Sequence, residues 1–400
     1  MDPGDVEYEP VSVKAVLVEM KDTAELLIDL AYSAVLHGSD EVAAEVLELE
    51  ERMDVLQLQA RMSLLMAARN PEDAEKLAPV LGVVGATEKI SDAAGDIAKI
   101  VLEDIGVPEA MRTAIPEAVE TVVRAQVAPG SEYVGASLGG LNLETETGVR
   151  MIALRRAGEW IVNPDRDTTF AADDVVLLRG TEMGLSTVYE AVTGDVYEPP
   201  DPVDSTIDDL ERAVDSIVLM KNMSELAVDL AYGSILFDSE GVAAEVVELE
   251  AEVDALKSRF EAWVLRAAGR VEDPITLRGL VHLASATEVI SDAALEISEG
   301  VLRGLDTHPV VAAAVEESDE VIVRVDVTVG SPLADASLGD LKVKTETGMR
   351  VIAVRRDDGD WVISPGPETT VFVDDVLIAK GTRDGAARLA ELAGGDESAA

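Results

Sequence analysis

Carboxylate pairs spaced four residues apart are the first feature of this sequence that could carry chemistry. On a helix, this spacing puts both carboxylates on one face, about one turn apart. Because like charges repel, a divalent cation would stabilise such a pair, and oxygen ligands suit Mg²⁺, Mn²⁺ or Fe. Spacing alone favours an ordinary solvated face, since 79 of the 400 residues are Asp or Glu. The candidate metal ligands are Glu50/Asp54 and Glu88/Asp92 with their counterparts Glu250/Asp254 and Glu288/Asp292, beside a further pair in each half, Glu25/Asp29 and Glu225/Asp229.

Arginines on two predicted strands form the second candidate set. They are Arg150, Arg155 and Arg156, repeated as Arg350, Arg355 and Arg356. A guanidinium suits bidentate binding of a phosphate. Regular strand alternation puts Arg150 on the opposite face from Arg155, so we expect that one ligand cannot contact all three. The alternative is pairing with nearby acids, and the spacing leaves both interpretations open: Glu144, Glu146 and Asp173.

The elements that position these residues occur twice, about two hundred residues apart. The twenty residues from Ser137 to Arg156 match those from Ser337 to Arg356 at 13 positions, and the offset then grows by one, so that Trp160 corresponds to Trp361. A repeat of this length is a whole folding unit. The sequence therefore predicts an internal duplication with pseudo-twofold symmetry and paired sites.

Each copy reads as a helical part followed by a strand-rich part. Apolar residues recur at three and four, with breaks at residues 37–40 and 70–71, which predicts three amphipathic helices in an antiparallel bundle. Runs rich in β-branched residues follow, and predict a small α+β domain. The predicted divisions are bundles at 11–110 and 206–310, α+β domains at 117–192 and 317–393, a linker at 193–205 and a tail at 394–400.

Composition limits the classes of partner and compartment. The formal charge is −47, which favours a halophilic cytoplasm where salt screens the repulsion; we expect the fold to loosen below about 0.5 M salt. Nucleic acid and anionic membranes are disfavoured, because both require clustered Lys and Arg. The chain has no cysteine and no apolar run of membrane-spanning length. These features predict a cytoplasmic protein.

The third predicted helix resembles part of a known family. The stretches TEKISDAAGDIAK at 87–99 and TEVISDAALEIS at 287–298 are similar to the third-helix signature of PhoU proteins. That resemblance implies tandem three-helix bundles whose acidic pairs bind metal clusters and which regulate phosphate uptake. The chain departs from the family at Ala93 and Ala293, where a His or Asn usually follows the Asp.

The strand-rich part resembles a second family. Its pattern of Gly130-Ser131, Ser137-Leu138-Gly139, Gly148, Arg150 and Asp174, with equivalents in the second copy, is similar to the TrkA-C or RCK-C domain of potassium channel and transporter regulators. The resemblance implies domains that dimerise, within one chain or as a homodimer, and that in several relatives bind cyclic di-AMP. The domain order is similar to that of archaeal PhoU–TrkA-C proteins, including haloarchaeal potassium or cation transport regulators.

Together these features predict a cytosolic regulatory protein of cation transport, with K⁺ as the preferred ion. It would sense a small anionic ligand such as cyclic di-AMP at the paired TrkA-C-like domains and act on a membrane transporter or channel. The alternative is a metal-binding, PhoU-like adaptor in phosphate signalling or magnesium transport. We expect no catalysis, because phosphate-binding glycine motifs are missing from the sequence and the three histidines are not repeated between the halves.

Overall fold

The computed structural model describes residues 13–68, 70–107, 121–143, 147–162, 164–180, 182–197, 207–237, 239–303, 320–363 and 365–394. Residues 108–120, residues 198–205 of the predicted linker and residues 395–400 of the predicted tail lie outside these ranges, as do the predicted arginine partners Glu144 and Glu146. The chain divides into two compact units. The first comprises Met1–Ala67, Leu81–Glu225 and Glu252–Ala293; the second comprises Ala68–Val80, Leu226–Ala251 and Ala294–Ala400.

Three long helices begin the chain: α1 (Val13–His37), α2 (Asp40–Ala67) and α3 (Pro71–Leu102). Gly38, with φ +58°, ends α1 in the left-handed conformation that glycine adopts without strain. The Ser39 hydroxyl then accepts a hydrogen bond from Val42 N at 3.2 Å and caps α2. The predicted apolar stripe of α2 is buried along its length: Val42, Val46, Leu49, Met53 and Leu56.

A small α+β domain follows the helices. It contains β1 (Thr121–Gln126), α4 (Leu138–Leu141), β2 (Arg150–Arg156), β3 (Glu159–Val162), β4 (Val175–Gly180) and α5 (Glu182–Thr193). The strands pair antiparallel in the order β1-β4-β2-β3. One face of the sheet packs against α5 in a core that includes Val123, Met151, Leu178 and Leu185. The opposite face carries arginines.

The second copy repeats the helices with one difference. It contains α6 (Asp208–Phe237), α7 (Glu240–Ala268) and α8 (Arg278–Leu302), and a short 3₁₀ turn (Pro274–Leu277) precedes α8. The Asp273 carboxylate caps this turn by accepting a hydrogen bond from Ile275 N at 3.0 Å. None of the described helices is long and apolar enough to cross a bilayer.

The second α+β domain has the same strand order as the first. Its elements are β5 (Glu320–Asp326), β6 (Ala336–Ser337), α9 (Val343–Thr347), β7 (Met349–Arg355), β8 (Trp361–Ile363), β9 (Thr370–Val371), β10 (Val376–Thr382) and α10 (Arg383–Leu392). The main sheet has the order β5-β10-β7-β8, and β6 pairs with β9 beside it. Helical segments thus alternate with small antiparallel α+β domains, which confirms the predicted duplicated architecture.

Candidate functional site

A β-bulge corrects the predicted orientation of the strand arginines. In β2, Arg150 lies opposite Arg179 and Arg155 opposite Val175, but the register shifts between Met151 and Ala153. The extra residue restores parity, so that Arg150 and Arg155 share one face of the sheet. The same shift places Arg350 and Arg355 on one face of the second sheet. The prediction of opposite faces was wrong, because strand alternation holds only where no residue is inserted.

In the first copy, this face lies against helix α2 through a cluster that we call the first clamp: Glu45, Arg124 and Arg155. The Glu45 side chain is 4% exposed, and its Oε1 accepts from Arg155 Nη2 at 2.5 Å and from Arg124 Nε at 3.1 Å. At the rim, Glu41 pairs with Arg124 at 2.8 Å and Glu48 with Arg155 at 3.3 Å. Two strands are therefore tied to one helix by three carboxylates.

The second clamp consists of Glu245, Arg324 and Arg355, at equivalent positions. The Glu245 side chain is 3% exposed. Its oxygens accept from Arg324 Nε at 2.7 Å and from Arg355 Nε and Nη2 at 2.6 and 2.9 Å. The hydrogen bonds to Glu245 raise the pKa of Arg355 above its ordinary value. Arg355 thus makes a two-pronged contact with a buried carboxylate.

Arg156 and Arg356, the next residues along the chain after Arg155 and Arg355, bind groups within their own α+β domains. Arg156 contacts both carboxylate oxygens of the buried Asp174 at 2.8 and 2.6 Å and donates to Thr169 O at 2.7 Å. The bond to Asp174 raises the pKa of Arg156. Arg356 donates from Nη1 to one carboxylate oxygen of the buried Asp375 and to the Thr370 carbonyl. Arg150 and Arg350 are exposed. The structure therefore distributes the six predicted arginines among three environments in each copy, and their role as ligand contacts stays a prediction.

Sequence reasoning missed Arg124, Arg324 and Arg179. Like Arg155 and Arg355, these three arginines contact the helices. The signal was available for Arg124 and Arg324, because they are a repeated pair two hundred residues apart within β-branched runs. Arg179 of β4 pairs with Asp29 of α1 at 3.0 Å. In addition, the Ser33 hydroxyl donates to the Val122 carbonyl of β1 at 2.6 Å. The arginine-bearing face of the first sheet thus contacts both α1 and α2.

Asp29 belongs to a charged cluster within the first unit. Burial raises its pKa to about 6, and the nearby Glu225 and Glu25 add to the rise, whereas Arg179 and Lys221 oppose it. Close by, the Tyr32 hydroxyl forms a hydrogen bond with Thr287 Oγ1 at 2.6 Å, and burial raises the pKa of Tyr32. Asp29 is therefore a carboxyl group that takes up a proton near pH 6.

The predicted carboxylate pairs of the first copy come together only in part. Burial raises the pKa of Glu50, and repulsion from Asp92, Asp54 and Asp96 adds to the rise. Burial also raises the pKa of Asp92, with repulsion from Asp54 and Asp96. Gly95 of α3 makes room for this arrangement, since a Cβ there would clash with the Glu50 carboxylate. Glu88 instead pairs with Arg61 at 3.1 Å. The Lys99 ammonium, bonded to Asp96 at 3.1 Å, supplies positive charge beside the acids.

In the second copy, the carboxylates of Asp254 and Asp292 lie within 4.8 Å of each other. Glu250 precedes Asp254 by one turn on α7, and Glu288 pairs with Lys257. Asp254, Lys257 and Glu288 line an open cavity of about 300 Å³ with three other residues: Ala255, Ser258 and Glu261. The close oxygens suit a hard divalent cation such as Mg²⁺ or Mn²⁺. The metal role of all eight predicted acids stays a prediction.

Two family models match the helical part and the strand-rich part of each copy. The family model of the PhoU domain matches residues 17–101 and 217–301. The family model of the TrkA-C domain matches residues 122–193 and 322–394. Each family thus occurs twice, in alternation, as the sequence predicted. No curated protein sequence is significantly similar to this chain.

Solved structures are similar at low identity. PhoU from Pseudomonas aeruginosa is 12% identical, with a TM-score of 0.43, covering 73% of this chain and 96% of that one. The GsuK RCK domain is 14% identical, with a TM-score of 0.18, covering 70% of this chain and 64% of that one. BusR from S. agalactiae, in complex with its busAB-promotor DNA, is 16% identical, with a TM-score of 0.18, covering 44% of this chain and 98% of that one.

Proposed function

From two PhoU domains and two TrkA-C domains in one chain, we propose that this protein is a cytoplasmic regulatory subunit of cation transport, with K⁺ as the preferred ion. The domain types suggest regulation of ion transport. The observation that carries the proposal is the contact between the two parts, since the sheet of each TrkA-C domain is tied to a PhoU helix by buried arginine–carboxylate pairs. Such a contact can pass a change in one domain to the other.

The proposed signal is a small anionic ligand such as cyclic di-AMP, bound at the TrkA-C domains. Arginine is the residue best suited to bind phosphate oxygens. Arg150 and Arg350 are the most accessible of the predicted contacts, because both are exposed on the arginine-bearing face of their sheets. The ligand would shift the population between two arrangements of domain and helix, and a regulatory subunit needs such a differential effect.

Calorimetric titration of cyclic di-AMP into the protein in molar KCl tests the ligand. We expect micromolar binding that weakens at least tenfold in R150A and R350A. These two variants are informative because they leave the clamps intact, whereas R155A would also break the contact to Glu45. No heat at micromolar protein would remove the proposed ligand.

The proposed partner is a membrane cation channel or transporter. The GsuK RCK domain, to which the chain is similar, comes from a protein whose solved structures include the GsuK channel. The acidic composition favours a haloarchaeal source and a subunit that reaches the membrane through its partner. Affinity purification in molar KCl, followed by identification of the membrane protein retained, tests this. Recovery of a phosphate transporter would contradict the proposed cation specificity.

A metal-binding, PhoU-like adaptor in phosphate signalling or magnesium transport is the second candidate function. The observation that favours it is the convergence of Asp254 with Asp292, and of Glu50 with Asp92. Elemental analysis of protein purified without chelator tests it. Stoichiometric Mg, Mn or Fe that is lost in D254N and D292N, but kept in E261Q, would support this function. E261Q removes a carboxylate from the wall of the same cavity.

A further inference from the structure

Each copy places one nearly inaccessible carboxylate between two arginines from different strands. Glu45 and Glu245 belong to helices, whereas Arg124 with Arg155, and Arg324 with Arg355, belong to the sheets. Within each sheet, these two arginine-bearing strands are separated by a third strand, β4 or β10. A single carboxylate therefore fixes the helix against the full width of three strands.

The charges in the clamps are largely withdrawn from water, which makes them different from surface ion pairs. The two glutamate side chains are 4% and 3% exposed, and the arginines 19% to 26%. Removing one buried partner leaves the others desolvated and without their closest counter-charge, so that the loss of stability is much larger than at an exposed pair. The clamp therefore stabilises the protein only while the sheet and the helix stay in contact.

We infer that Glu45 and Glu245 are the positioning residues that hold each TrkA-C domain on its PhoU helix, and that the second clamp depends on its glutamate more than the first. In the first clamp, Glu41 and Glu48 remain as helix partners when Glu45 is lost. In the second, position 241 is Gly, and Glu248 attracts Arg355 from beyond ion-pair distance. The other partner of Arg324 is Asp326 of its own strand, which cannot hold the sheet to the helix. The inference rests on the proposed function only for its regulatory meaning.

The inference also defines what an anionic ligand must do. An anion that binds Arg155 or Arg355 competes with Glu45 or Glu245, because these carboxylates already accept hydrogen bonds from the guanidinium groups. Binding at these arginines would then weaken the hold of the helix on the sheet. An anion held by Arg150 or Arg350 alone would leave the clamps closed.

Distances between spin labels test the clamps without any ligand. The chain has no cysteine, so two can be introduced at exposed positions in one copy. Glu51 and Thr187 serve for the first copy, and Ala251 and Arg388 for the second. In molar KCl we expect one narrow distance in the otherwise unchanged protein. E245Q should raise the population at longer distances at least tenfold, and E45Q should raise it by a smaller factor.

Three controls separate positioning from general loss of structure. Circular dichroism of each labelled variant should stay unchanged, and E245D, which keeps the charge, should retain most of the short-distance population. E261Q, at an exposed position of α7 outside the clamp, should match the unchanged protein. If E245Q fails to fold, R324Q provides the same test with the carboxylate intact. Unaltered distances in both E245Q and R324Q would overturn the inference, whether or not cyclic di-AMP binds.

Discussion

The two clamps keep the same buried centre but take their outer acid from different places. In the first copy, Arg124 contacts Glu41 of the helix, and position 126 of the strand is Gln. In the second, Arg324 contacts Asp326 of the strand, and position 241 of the helix is Gly. The outer acid thus belongs to the helix in the first copy and to the strand in the second. Arg124 and Arg324 need only an exposed acid within reach, whereas the buried glutamate keeps its position in both copies.

The difference also changes what each clamp can resist. Glu41, Glu45 and Glu48 all bind the first sheet from the helix side, so that the load is shared. Within the described residues, Glu245 makes both helix-to-sheet ion pairs of the second clamp, and Glu248 adds only a longer-range attraction to Arg355. Duplication therefore conserved the contact but reduced its redundancy.

The largest expected effect comes from removing the central glutamates. E245A should destabilise the protein by about 3 kcal/mol and E45A by about 2 kcal/mol, because each leaves two partly buried arginines without their main partner. Denaturant unfolding in molar KCl, followed by circular dichroism, measures both. Equal losses in the two variants would show that the rim acids of the first copy do not share the load.

The next effect concerns Asp29, which gives the first sheet an additional helix contact through Arg179. Its pKa is raised in the folded state, to about 6, so that the folded protein binds the proton more tightly. The resulting stability is present below about pH 4 and is lost as the pH rises through 6. The free energy of unfolding of D29N, relative to that of the unchanged protein, should therefore rise by about 2 kcal/mol from pH 4 to pH 7.

Unfolding curves at several pH values in molar KCl measure this difference. D165N is the control of opposite sign, because hydrogen bonding from the Thr168 hydroxyl lowers the pKa of Asp165. Its contribution is present at neutral pH and is lost as the pH falls through the lowered pKa. A constant difference between D29N and the unchanged protein across the range would contradict the raised pKa.

A smaller effect is expected from giving the second clamp the rim acid of the first. Gly241 is exposed in the first turn of α7, where a Cβ would make only ordinary contact with Arg324. G241E should stabilise the protein by about 1 kcal/mol, since glutamate has the higher helix propensity and favours a helix N-terminus. In the E245Q background, it should also restore part of the short-distance population. If G241E stabilises the protein but does not restore the short-distance population, the stabilisation comes from helix propensity alone.

The smallest effect is expected at the exposed rim. E41Q and D326N each remove an acid whose side chain is 75% or 59% exposed, respectively. Each should change the free energy of unfolding by less than about 1 kcal/mol, as is usual for exposed pairs. A loss comparable to that of E45A would show that rim and centre act as one network.

The duplicated fold could be predicted from the sequence because its signals are local. The helix breaks at Gly38 and Pro71 and the β-branched strand runs depend on neighbouring residues. The candidate site was harder, since Glu45 looks like any other acid in a chain with 79 of them. Its burial depends on contacts with Arg124 and Arg155, which lie 79 and 110 residues further along the chain. No local pattern encodes such a contact.

The bulge in β2 and β7 has a consequence for which changes of length the chain can tolerate. Losing one residue from the bulge would turn Arg150 or Arg350 toward the α-helix of its own domain, into an apolar core. The two copies do differ by one residue, but the difference falls between Arg156 and Trp160, in the hairpin turn that Ala157 and Gly158 form with positive φ. Divergence after the duplication thus changed the length where strand parity does not matter, and left the parity of the arginine strand unaltered.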